Sequence, residues 1–423
     1  MGELTEPTRA RHVTLAYLCG LTLVLYLDRM CLGKTAPYIQ KELRLTDGQM
    51  GWVHAAFTIA YGIFELPTGH WGDRYGSRRV LIRIVLWWSA FTALTGAATG
   101  FWVLTAIRFL FGAGEAGALP NAARVVDRWF PPAARGRVRG LVHMPALLGG
   151  IIAPIGTAYL IEAVGWRWVF AIYGALGAAW AAGFARWFRE TPAEHLAVNA
   201  AERDLIGLPP VSVPVDHLPL AAILRNRNVR RLCVVLASGS ATVYLLFSWY
   251  PTYLEKVRGV PNVTSGWLTG CVMFGGAAGC LAGGGLADRA RTRLPTRWAN
   301  SLVGGSGFTL AAVSVAAAAL TDPVGWKTIF LAAGCFGVHL HAGPWWGANS
   351  AIGGRHSGTT FAVINTAGVF TGALAQVGFG QLPREHWGDA FLLAAALLAV
   401  GATCWFLVDP RKTVLTEPRG ETP

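Results

Sequence analysis

The sequence Gly69-His-Trp-Gly-Asp-Arg-Tyr-Gly-Ser-Arg-Arg79 lies between two apolar stretches and combines glycines, one acid and three arginines. A degenerate copy, Gly284-Gly-Leu-Ala-Asp-Arg289, follows 215 residues later and also continues into arginines. Such a repeat in a chain of 423 residues indicates two related halves. Repeated halves are typical of transporters that bind their substrate at the interface between the repeats.

Six apolar segments lie in each half of the chain. A helix needs about 20 mostly apolar residues to span a bilayer. Segments of that kind lie at 12–32, 50–70, 80–99, 101–123, 140–163, 166–188, 231–254, 264–287, 298–320, 327–349, 357–381 and 388–408. The sequence therefore predicts an all-α integral membrane protein with twelve transmembrane helices.

The composition agrees with this prediction. Hydrophobic residues make up 53% of the chain and charged residues only 14%, whereas soluble domains carry roughly a quarter charged residues. The net charge of +13 does not indicate a nucleic-acid-binding protein, because the basic residues form short clusters between apolar segments rather than one basic face.

The positions of lysine and arginine predict the orientation in the membrane. The termini and even-numbered connections hold 26 of these residues and the opposite side holds 8. The positive-inside rule then places both termini in the cytoplasm. The stretch before Val13 is polar and no small-residue cleavage site follows the first apolar run, so we expect that run to be a retained helix of a multi-pass protein of the cell inner (plasma) membrane.

A long connection divides the halves. Residues 1–189 are predicted to form the N-terminal six-helix bundle, 190–228 a proline-containing cytoplasmic linker, and 229–423 the C-terminal bundle with a short tail. The amphipathic stretch Ala193 to Ile206 is either a spacer or a helix on the membrane surface.

Other classes of function find little support in the sequence. The seven cysteines are scattered without metal-ligand spacing, which argues against a disulfide framework or a zinc site. No nucleophile motif or phosphate loop is present, so we expect neither an enzyme nor a bound cofactor. Gly283-Gly-Gly285 is better explained by helix packing.

The quoted motif resembles the loop between helices two and three of the major facilitator superfamily. A narrower resemblance is to its anion:cation symporter branch, which includes hexuronate, galactonate and glucarate transporters. The stretches that carry this resemblance are Tyr26-Leu-Asp28-Arg29, Arg108-Phe-Leu-Phe-Gly-Ala-Gly-Glu115, Trp129-Phe-Pro-Pro-Ala-Ala-Arg-Gly-Arg137, Ser248-Trp-Tyr-Pro-Thr-Tyr-Leu254 and Val363-Ile-Asn365.

The resemblance implies two six-helix bundles that import a small organic anion, such as a sugar acid or another carboxylate, together with protons by alternating access. The expected partners are the carboxylate, protons and the lipid bilayer, and the expected form is a monomer. Two alternatives remain open at this point: a proton-independent exchanger or uniporter of the same fold, and a membrane receptor or sensor without flux, although no soluble signalling domain is visible.

Four ionisable residues, Asp28, Arg29, Arg108 and Glu115, fall well inside first-half helices. A charge at the bilayer centre costs at least about 2.5–3.5 kcal/mol, so their retention suggests a function. Arg29 stays protonated and can hold a carboxylate through two parallel hydrogen bonds. The alternative is a standing ion pair between Arg29 and Asp28 or Glu115.

Glu115 is the best candidate for carrying the coupled proton, with Asp28 as a second carrier. Arg108 and Glu115 lie seven residues apart, two turns along nearly the same helical face. They form either a static pair or one that changes during transport.

The resemblance also implies a substrate cavity lined by Tyr26, Tyr61, Trp345 and Asn365. Trp345 could equally belong to the interfacial aromatic belt, and Asn365 could join two helices by a hydrogen bond. The stretch Ala348–Gly358 departs from the usual form of the branch. Three histidines are candidates for a proton relay or for packing contacts: His143, His339 and His341.

A cytoplasmic gate is the expected role of the quoted motif. The resemblance implies that its residues lock the two bundles in the outward-facing state through ion pairs and a helix-end dipole, and Arg135 and Arg137 are candidates to take part. A role as a topology signal alone is the alternative. The gate residues are Gly69, Asp73, Arg74, Gly76, Arg78 and Arg79.

Overall fold

A computed structural model describes residues 6–207 and 220–414, and these residues form helices and irregular segments. The side chains of eight residues inside helices lie outside the description: Leu66, Gly69, His70, Gly72, Asp73, Ala222, Thr296 and Arg355. Two compact units make up the chain, unit 1 at Met1–Val213 and unit 2 at Pro214–Pro423.

Unit 1 contains six long helical segments and one short helix. The long segments correspond to the six apolar stretches of the first half, and the fourth of them is broken in two. The helices are α1 (Ala10–Leu43), α2 (Asp47–Tyr75), α3 (Ser77–Thr95), α4 (Phe101–Glu115), α5 (Ala118–Trp129), α6 (Pro132–Val164), α7 (Trp166–Trp187) and the short α8 (Ala200–Ile206).

Unit 2 repeats this arrangement after a short leading helix, and its fourth long segment is also broken. The helices are α9 (Leu220–Arg225), α10 (Arg227–Lys256), α11 (Asn262–Arg293), α12 (Thr296–Leu320), α13 (Val324–Leu340), α14 (Ala342–Gly353), α15 (Ser357–Gln381) and α16 (Trp387–Leu407).

The same helix pairs pack together in both units. In unit 1, α1 packs along α6, α2 along α4, and α3 along α7. The corresponding pairs in unit 2 are α10 with α15, α11 with α13, and α12 with α16. The repeat inferred from the motif is thus a repeat of helix packing as well as of sequence.

Each predicted segment falls on one helix or on a helix pair separated by a break, and several helices extend well beyond the predicted bounds. The first predicted segment, 12–32, lies inside α1, which runs from Ala10 to Leu43. Apolar length measures only the part of a helix that lies in hydrocarbon, whereas polar caps define the real ends. At the start of α2, for example, the Thr46 hydroxyl accepts from the Gln49 N–H at 3.1 Å while the Gln49 side chain accepts from the Thr46 N–H at 2.9 Å.

Two breaks interrupt helices that the sequence predicted as continuous. The first follows Glu115, where Gly117 has a φ of +86°. A Cβ on Gly117 would lie 2.5 Å from the Thr68 hydroxyl oxygen of α2, so both the backbone conformation and the close packing require glycine. The second break falls at His341, between α13 and α14.

Glycines bring α11 and α13 into backbone contact. A Cβ on Gly275, Gly279 or Gly283 would lie 2.2, 2.1 and 2.1 Å from carbonyl oxygens of α13. These glycines are four residues apart and therefore lie on one face of α11. The structure thus gives Gly283 the packing role that the sequence suggested.

Nine helical spans in the described part of the chain are long and apolar enough to cross a membrane. The other three long segments fall short for visible reasons. α2 contains polar side chains such as His54 and Glu65, α3 begins with three arginines within seven residues, and α13 is shortened by the break at His341.

The first part of the linker folds back onto unit 1. Glu202 of α8 is fully buried and accepts hydrogen bonds from the Thr8 hydroxyl and from both the N–H and the guanidinium of Arg11, the last at 3.1 Å. His195 packs its ring against Trp129 and Trp187. The stretch 193–206 is therefore neither one continuous helix nor a free spacer in its described part, and residues 208–219 of the predicted linker lie outside the description.

Candidate substrate site in unit 1

Arg29 and Glu115 form the centre of the candidate site. Arg29 Nε donates a hydrogen bond to Glu115 Oε1, and Nη2 makes an ion pair with the same oxygen. Glu115 is the last residue of α4 and its side chain is fully buried, whereas the Arg29 side chain is 15% exposed. The helix break therefore positions a buried carboxylate against an arginine that solutes can still reach.

Aromatic rings surround the Arg29 guanidinium. Its Cζ lies 5.7 Å from the ring centre of Tyr26, 5.4 Å from Phe57 and 4.6 Å from Tyr61. Distances below about 6 Å allow attraction between a cation and the face of a ring. The rings cover part of the guanidinium, and the lower local dielectric strengthens its electrostatic interactions with an anion.

Asp28 and Arg108 lie in a second, fully enclosed group beside the first. Each is 1% exposed, and Arg108 interacts electrostatically with Asp28, Glu115 and His54. The Arg108 Cζ lies 5.3 Å from the Phe57 ring centre. Phe57 is consequently within cation–π distance of both arginines.

Several buried polar atoms of this group make no hydrogen bond to any described residue. They are both carboxylate oxygens of Asp28, Nε and Nη1 of Arg108, and Oε2 of Glu115. Because a buried polar atom without a partner costs free energy, this arrangement is expected only where its atoms gain partners at another stage. Arg108 also makes no ion pair within 4 Å in the described part of the chain, so the pair that contains Glu115 is the one with Arg29.

Glu65 and His54 are residues that the sequence interpretation missed. The Tyr61 hydroxyl donates to Glu65 Oε1 at 3.4 Å, and His54 is 4% exposed near Arg108. Phe57, Tyr61 and Glu65 are spaced four residues apart on α2. That spacing on a transmembrane helix was a readable signal, since it places three functional side chains on one face.

Trp345 and Asn365 lie in unit 2 on neighbouring helices. Trp345 of α14 is 6% exposed, and its indole N–H has no hydrogen-bond partner among the described residues. The ring of Phe361, one turn before Asn365 on α15, packs edge-on against Trp345 at 5.2 Å. The structure thus brings Tyr26, Arg29, Tyr61 and Glu115 together in unit 1, and places Trp345 near Asn365 in unit 2.

Of the three candidate histidines, His143 lies in unit 1 and His339 and His341 lie in unit 2. His339 Nδ1 lies 2.9 Å from the Cys335 carbonyl oxygen, and His341 contacts the Val338 carbonyl and the Phe308 ring. His143 is exposed on α6. In the described residues no group of three or more His, Cys, Asp or Glu side chains could hold a metal ion.

The gate motif is anchored inside unit 1. Arg78 Nε donates to the Phe188 carbonyl at 2.7 Å, at the end of α7. Gly76 has a φ of +83° and ends α2. Arg74 and Arg79 are exposed, while the side chains of Gly69 and Asp73 lie outside the described residues. The predicted lock between the bundles stays a prediction.

Glu190 links the gate motif to α5. Its carboxylate accepts from the Ser77 N–H at 2.9 Å and from the Arg78 N–H at 2.8 Å, and it forms an ion pair with Arg128. An acid at the N-terminus of α3 satisfies two free backbone donors and interacts favourably with the helix dipole. Arg135, one of the two further arginines that we expect to take part in the gate, donates from Nε to the Phe130 carbonyl at 3.1 Å.

Comparison with known proteins assigns the fold to a family. The model of the Major Facilitator Superfamily matches residues 18–376. The chain belongs to the major facilitator superfamily. It is therefore a multi-pass membrane transporter with the twelve-helix fold of that family, and not an enzyme.

Relatives and solved structures extend this major facilitator assignment. The chain is 32% identical over 420 residues to a probable sulfoacetate transporter of Cupriavidus necator, covering 97% of this chain and 96% of that protein. It is 27% identical to the hexuronate transporter of Bacillus subtilis, with 90% of each chain covered. A bacterial homologue of the lysosomal transporter Spinster shares the fold with a TM-score of 0.78 at 20% identity, covering 94% of this chain and 96% of that one.

Proposed function

We propose that this protein imports a small organic anion together with protons by alternating access, with Arg29 as the anion-binding group and Glu115 as the main proton carrier. The observation that carries the proposal is the pair formed by Arg29 and Glu115. Arg29 is held by a carboxylate, is partly exposed, and is surrounded by aromatic rings.

A substrate carboxylate matches the group that Arg29 already binds. It can therefore take the place of Glu115 on the guanidinium, which presents parallel donors to a carboxylate. The displaced Glu115 is fully buried, and a buried carboxylate without a cation is costly unless it takes up a proton. Substrate binding and proton uptake are coupled through this exchange of partners.

Asp28 is the second proton carrier in this scheme. Its side chain is 1% exposed and lies near Glu115 and Arg108, and a buried carboxylate without a close ion pair is costly unless it takes up a proton. Arg108 is close enough to influence both Asp28 and Glu115. Arg108 therefore links the two carriers electrostatically without touching the substrate.

The relatives support an anion of low molecular weight as the substrate. Their printed names include sulfoacetate, hexuronate and D-galactonate transporters. All three substrates are carboxylates, and sulfoacetate carries a sulfonate in addition. A site built on one exposed arginine fits the shared carboxylate, while Trp345 and Asn365 of unit 2 are proposed to contact the rest of the molecule.

Uptake into proteoliposomes tests the proposal. Purified protein is given labelled sulfoacetate, a hexuronate or a galactonate, with and without an inward proton gradient. We expect accumulation of at least one of these anions that depends on the gradient. Flux of a neutral solute without uptake of any carboxylate would contradict the anion assignment, and uptake indifferent to the gradient would leave the exchanger or uniporter as the better description.

A further inference from the structure

A basic cavity lies in unit 2, away from the candidate substrate site. Its volume is about 480 Å³, a size typical of small-ligand sites. It lies between the start of α10 and the segment that follows α16. The lining residues are Asn226, Arg227, Asn228, Arg231, Arg411, Lys412 and Thr413.

Two asparagines fix the wall of this cavity. Asn226 Nδ2 donates to the Thr413 carbonyl at 2.9 Å. Asn228, which is 2% exposed, donates to the carbonyls of Asp409 at 2.7 Å and Lys412 at 3.1 Å. The segment after α16 is thus held across the N-terminus of α10, and the cavity between them is a fixed feature of the fold.

Positive charge dominates the cavity. Four of the seven lining residues are arginine or lysine and none is acidic. Arg411 is neutralised by Asp409, to which its Nε and Nη2 both donate at 2.9 Å. The side chains of Arg227 and Lys412 make no hydrogen bond or ion pair with any described residue, so their charges are available to a ligand.

Exposed leucines precede these charges in the chain. Leu220 and Leu224 of α9 are 57% and 43% exposed and are four residues apart, on one face of the helix that leads directly into Asn226. Both flank the cytoplasmic end of α10, because the positive-inside rule places the connection before α10 in the cytoplasm. Apolar side chains beside arginines at that level are typical of a surface that meets lipid.

We propose that this cavity binds the phosphate group of an anionic phospholipid of the cytoplasmic leaflet. The phosphate oxygens accept hydrogen bonds from Arg227, Arg231 and Lys412, and the acyl chains contact Leu220 and Leu224. Basic pockets on the cytoplasmic side of transmembrane helices recognise such head groups. Free phosphate offers the same oxygens but no apolar part, which the experiment uses to tell the two sources apart.

Native mass spectrometry of the purified full chain measures the affinity for phosphatidylglycerol and for phosphatidylcholine. We expect the wild type to prefer phosphatidylglycerol. Each removed cation is expected to weaken the binding about fivefold, so the double variant Arg227→Gln with Lys412→Gln is expected to lose about thirtyfold. The matched control, Arg289→Gln with Arg293→Gln, removes two exposed cations of the same unit at the end of α11 and is expected to leave binding nearly unchanged.

A second set of variants and competitors distinguishes binding of a lipid phosphate from binding of free inorganic phosphate. Leu220→Ser with Leu224→Ser is expected to weaken phosphatidylglycerol binding severalfold, and inorganic phosphate is expected to compete only weakly. The proposal is overturned if both charge variants lose affinity equally, if the two lipids bind alike, or if inorganic phosphate binds as tightly as the lipid and the leucine variant behaves as wild type. Because the cavity is separate from Arg29, uptake of the anion is not the readout.

Discussion

Within the predicted membrane segments, α1, α2 and α4 of unit 1 carry five Asp, Glu or Arg side chains, whereas the segments on α10, α11 and α13 of unit 2 carry one, Arg231, at the start of its segment. The helices pack in the same pairs in both units. The five residues are Asp28, Arg29, Glu65, Arg108 and Glu115. The same helix pairs therefore enclose a charged interior in unit 1 and a largely uncharged interior in unit 2.

The contact between the second and fourth helical segments shows how the interiors differ. In unit 2, a stripe of glycines on α11 lies against the backbone of α13. In unit 1, α2 instead carries Phe57, Tyr61 and Glu65 beside the arginines. Glycine packing is present in both interfaces, since a Cβ on Gly112 of α4 would lie 2.4 Å from the Phe57 carbonyl oxygen of α2. The difference is that unit 1 adds polar and aromatic side chains beside two arginines, whereas the contact in unit 2 rests on three glycines of one face. We infer that unit 1 supplies charge recognition and unit 2 supplies a rigid apolar frame.

The largest expected effect on anion recognition by unit 1 comes from the substitution Arg29→Lys. Lysine keeps the charge but loses the planar fork that holds a carboxylate with two hydrogen bonds. We expect initial uptake below the KM to fall on the order of 100-fold, which corresponds to about 2.7 kcal/mol. The measurement is the initial rate of labelled anion uptake in proteoliposomes at fixed protein density.

The control for this variant lies in unit 2. Lys327 is 3% exposed near the start of α13, 5.6 Å from the ring centre of Tyr253, and Lys327→Met removes a buried cation that is not part of the candidate site. It is expected to leave the KM for the anion within about twofold. Wild-type uptake by Arg29→Lys, or an equal loss in both variants, would contradict the division between the units.

Glu115→Gln tests the proton-coupling role. The amide keeps the size of the side chain and can still accept a hydrogen bond from Arg29, but it cannot gain or lose a proton. We expect accumulation driven by the proton gradient to fall at least about tenfold, while counterflow exchange of labelled for unlabelled anion persists. Comparison of the two assays on one preparation separates coupling from binding.

Asp28→Asn sharpens the same test inside unit 1. If Asp28 is a second carrier, this variant also loses gradient-driven accumulation. If accumulation by the Glu115→Gln variant still responds fully to pH, the assignment of Glu115 is wrong and Asp28 carries the proton by itself.

The fold was accessible from the sequence because it depends on apolar length, charge placement and the repeated motif. Each of these signals is local, and each marks a helix or a side of the membrane. The breaks after Glu115 and at His341 were not accessible, since they depend on contacts with other helices. The positive φ of Gly117 and the contact with Thr68 are visible only in the folded chain.

The candidate site was partly accessible for a similar reason. Arg29 and Glu115 were found because a charge in an apolar segment is conspicuous. Glu65 was missed because it lies toward the end of its segment, where acids are common, and Phe57 because a phenylalanine in a membrane helix is unremarkable. Only the folded packing shows that Phe57 lies within about 6 Å of two arginines.

Glycine substitutions in unit 2 test the rigid frame. In Gly283→Ala, the new Cβ would lie 2.1 Å from the Leu340 carbonyl oxygen, whereas a Cβ on the next residue, Gly284, would meet no described atom of another helix within 4 Å. We expect Gly283→Ala to lower the free energy of unfolding by about 1–3 kcal/mol and Gly284→Ala to change it by less than about 0.5 kcal/mol. Thermal unfolding of the two variants in one detergent makes the comparison, and equal stability of both would contradict close contact between α11 and α13.

The smallest expected effect distinguishes the segment that follows α7 in unit 1 from the segment that follows α16 in unit 2. In unit 1, His195 Nδ1 accepts from the Ala197 N–H at 3.1 Å and Nε2 lies 3.0 Å from the Trp187 carbonyl, an arrangement that uses the neutral ring. Burial lowers the pKa of His195 from its ordinary value. In unit 2, the hydrogen bonds from Arg411 lower the pKa of Asp409 to about 2.

These two pKa shifts have different consequences for stability between pH 8 and pH 5. A histidine with a lowered folded-state pKa leaves stability unchanged above its unfolded value of about 6.5 and reduces it as the pH falls below that value. Asp409 stays ionised throughout the range, so the segment after α16 keeps its stability. Hydrogen–deuterium exchange, corrected for intrinsic rates, is expected to show about twofold or greater loss of protection at pH 5 in 195–207 and little change in 408–414. His195→Gln, which cannot be protonated, should abolish the difference, and equal loss in both segments would mean that some other group controls the response.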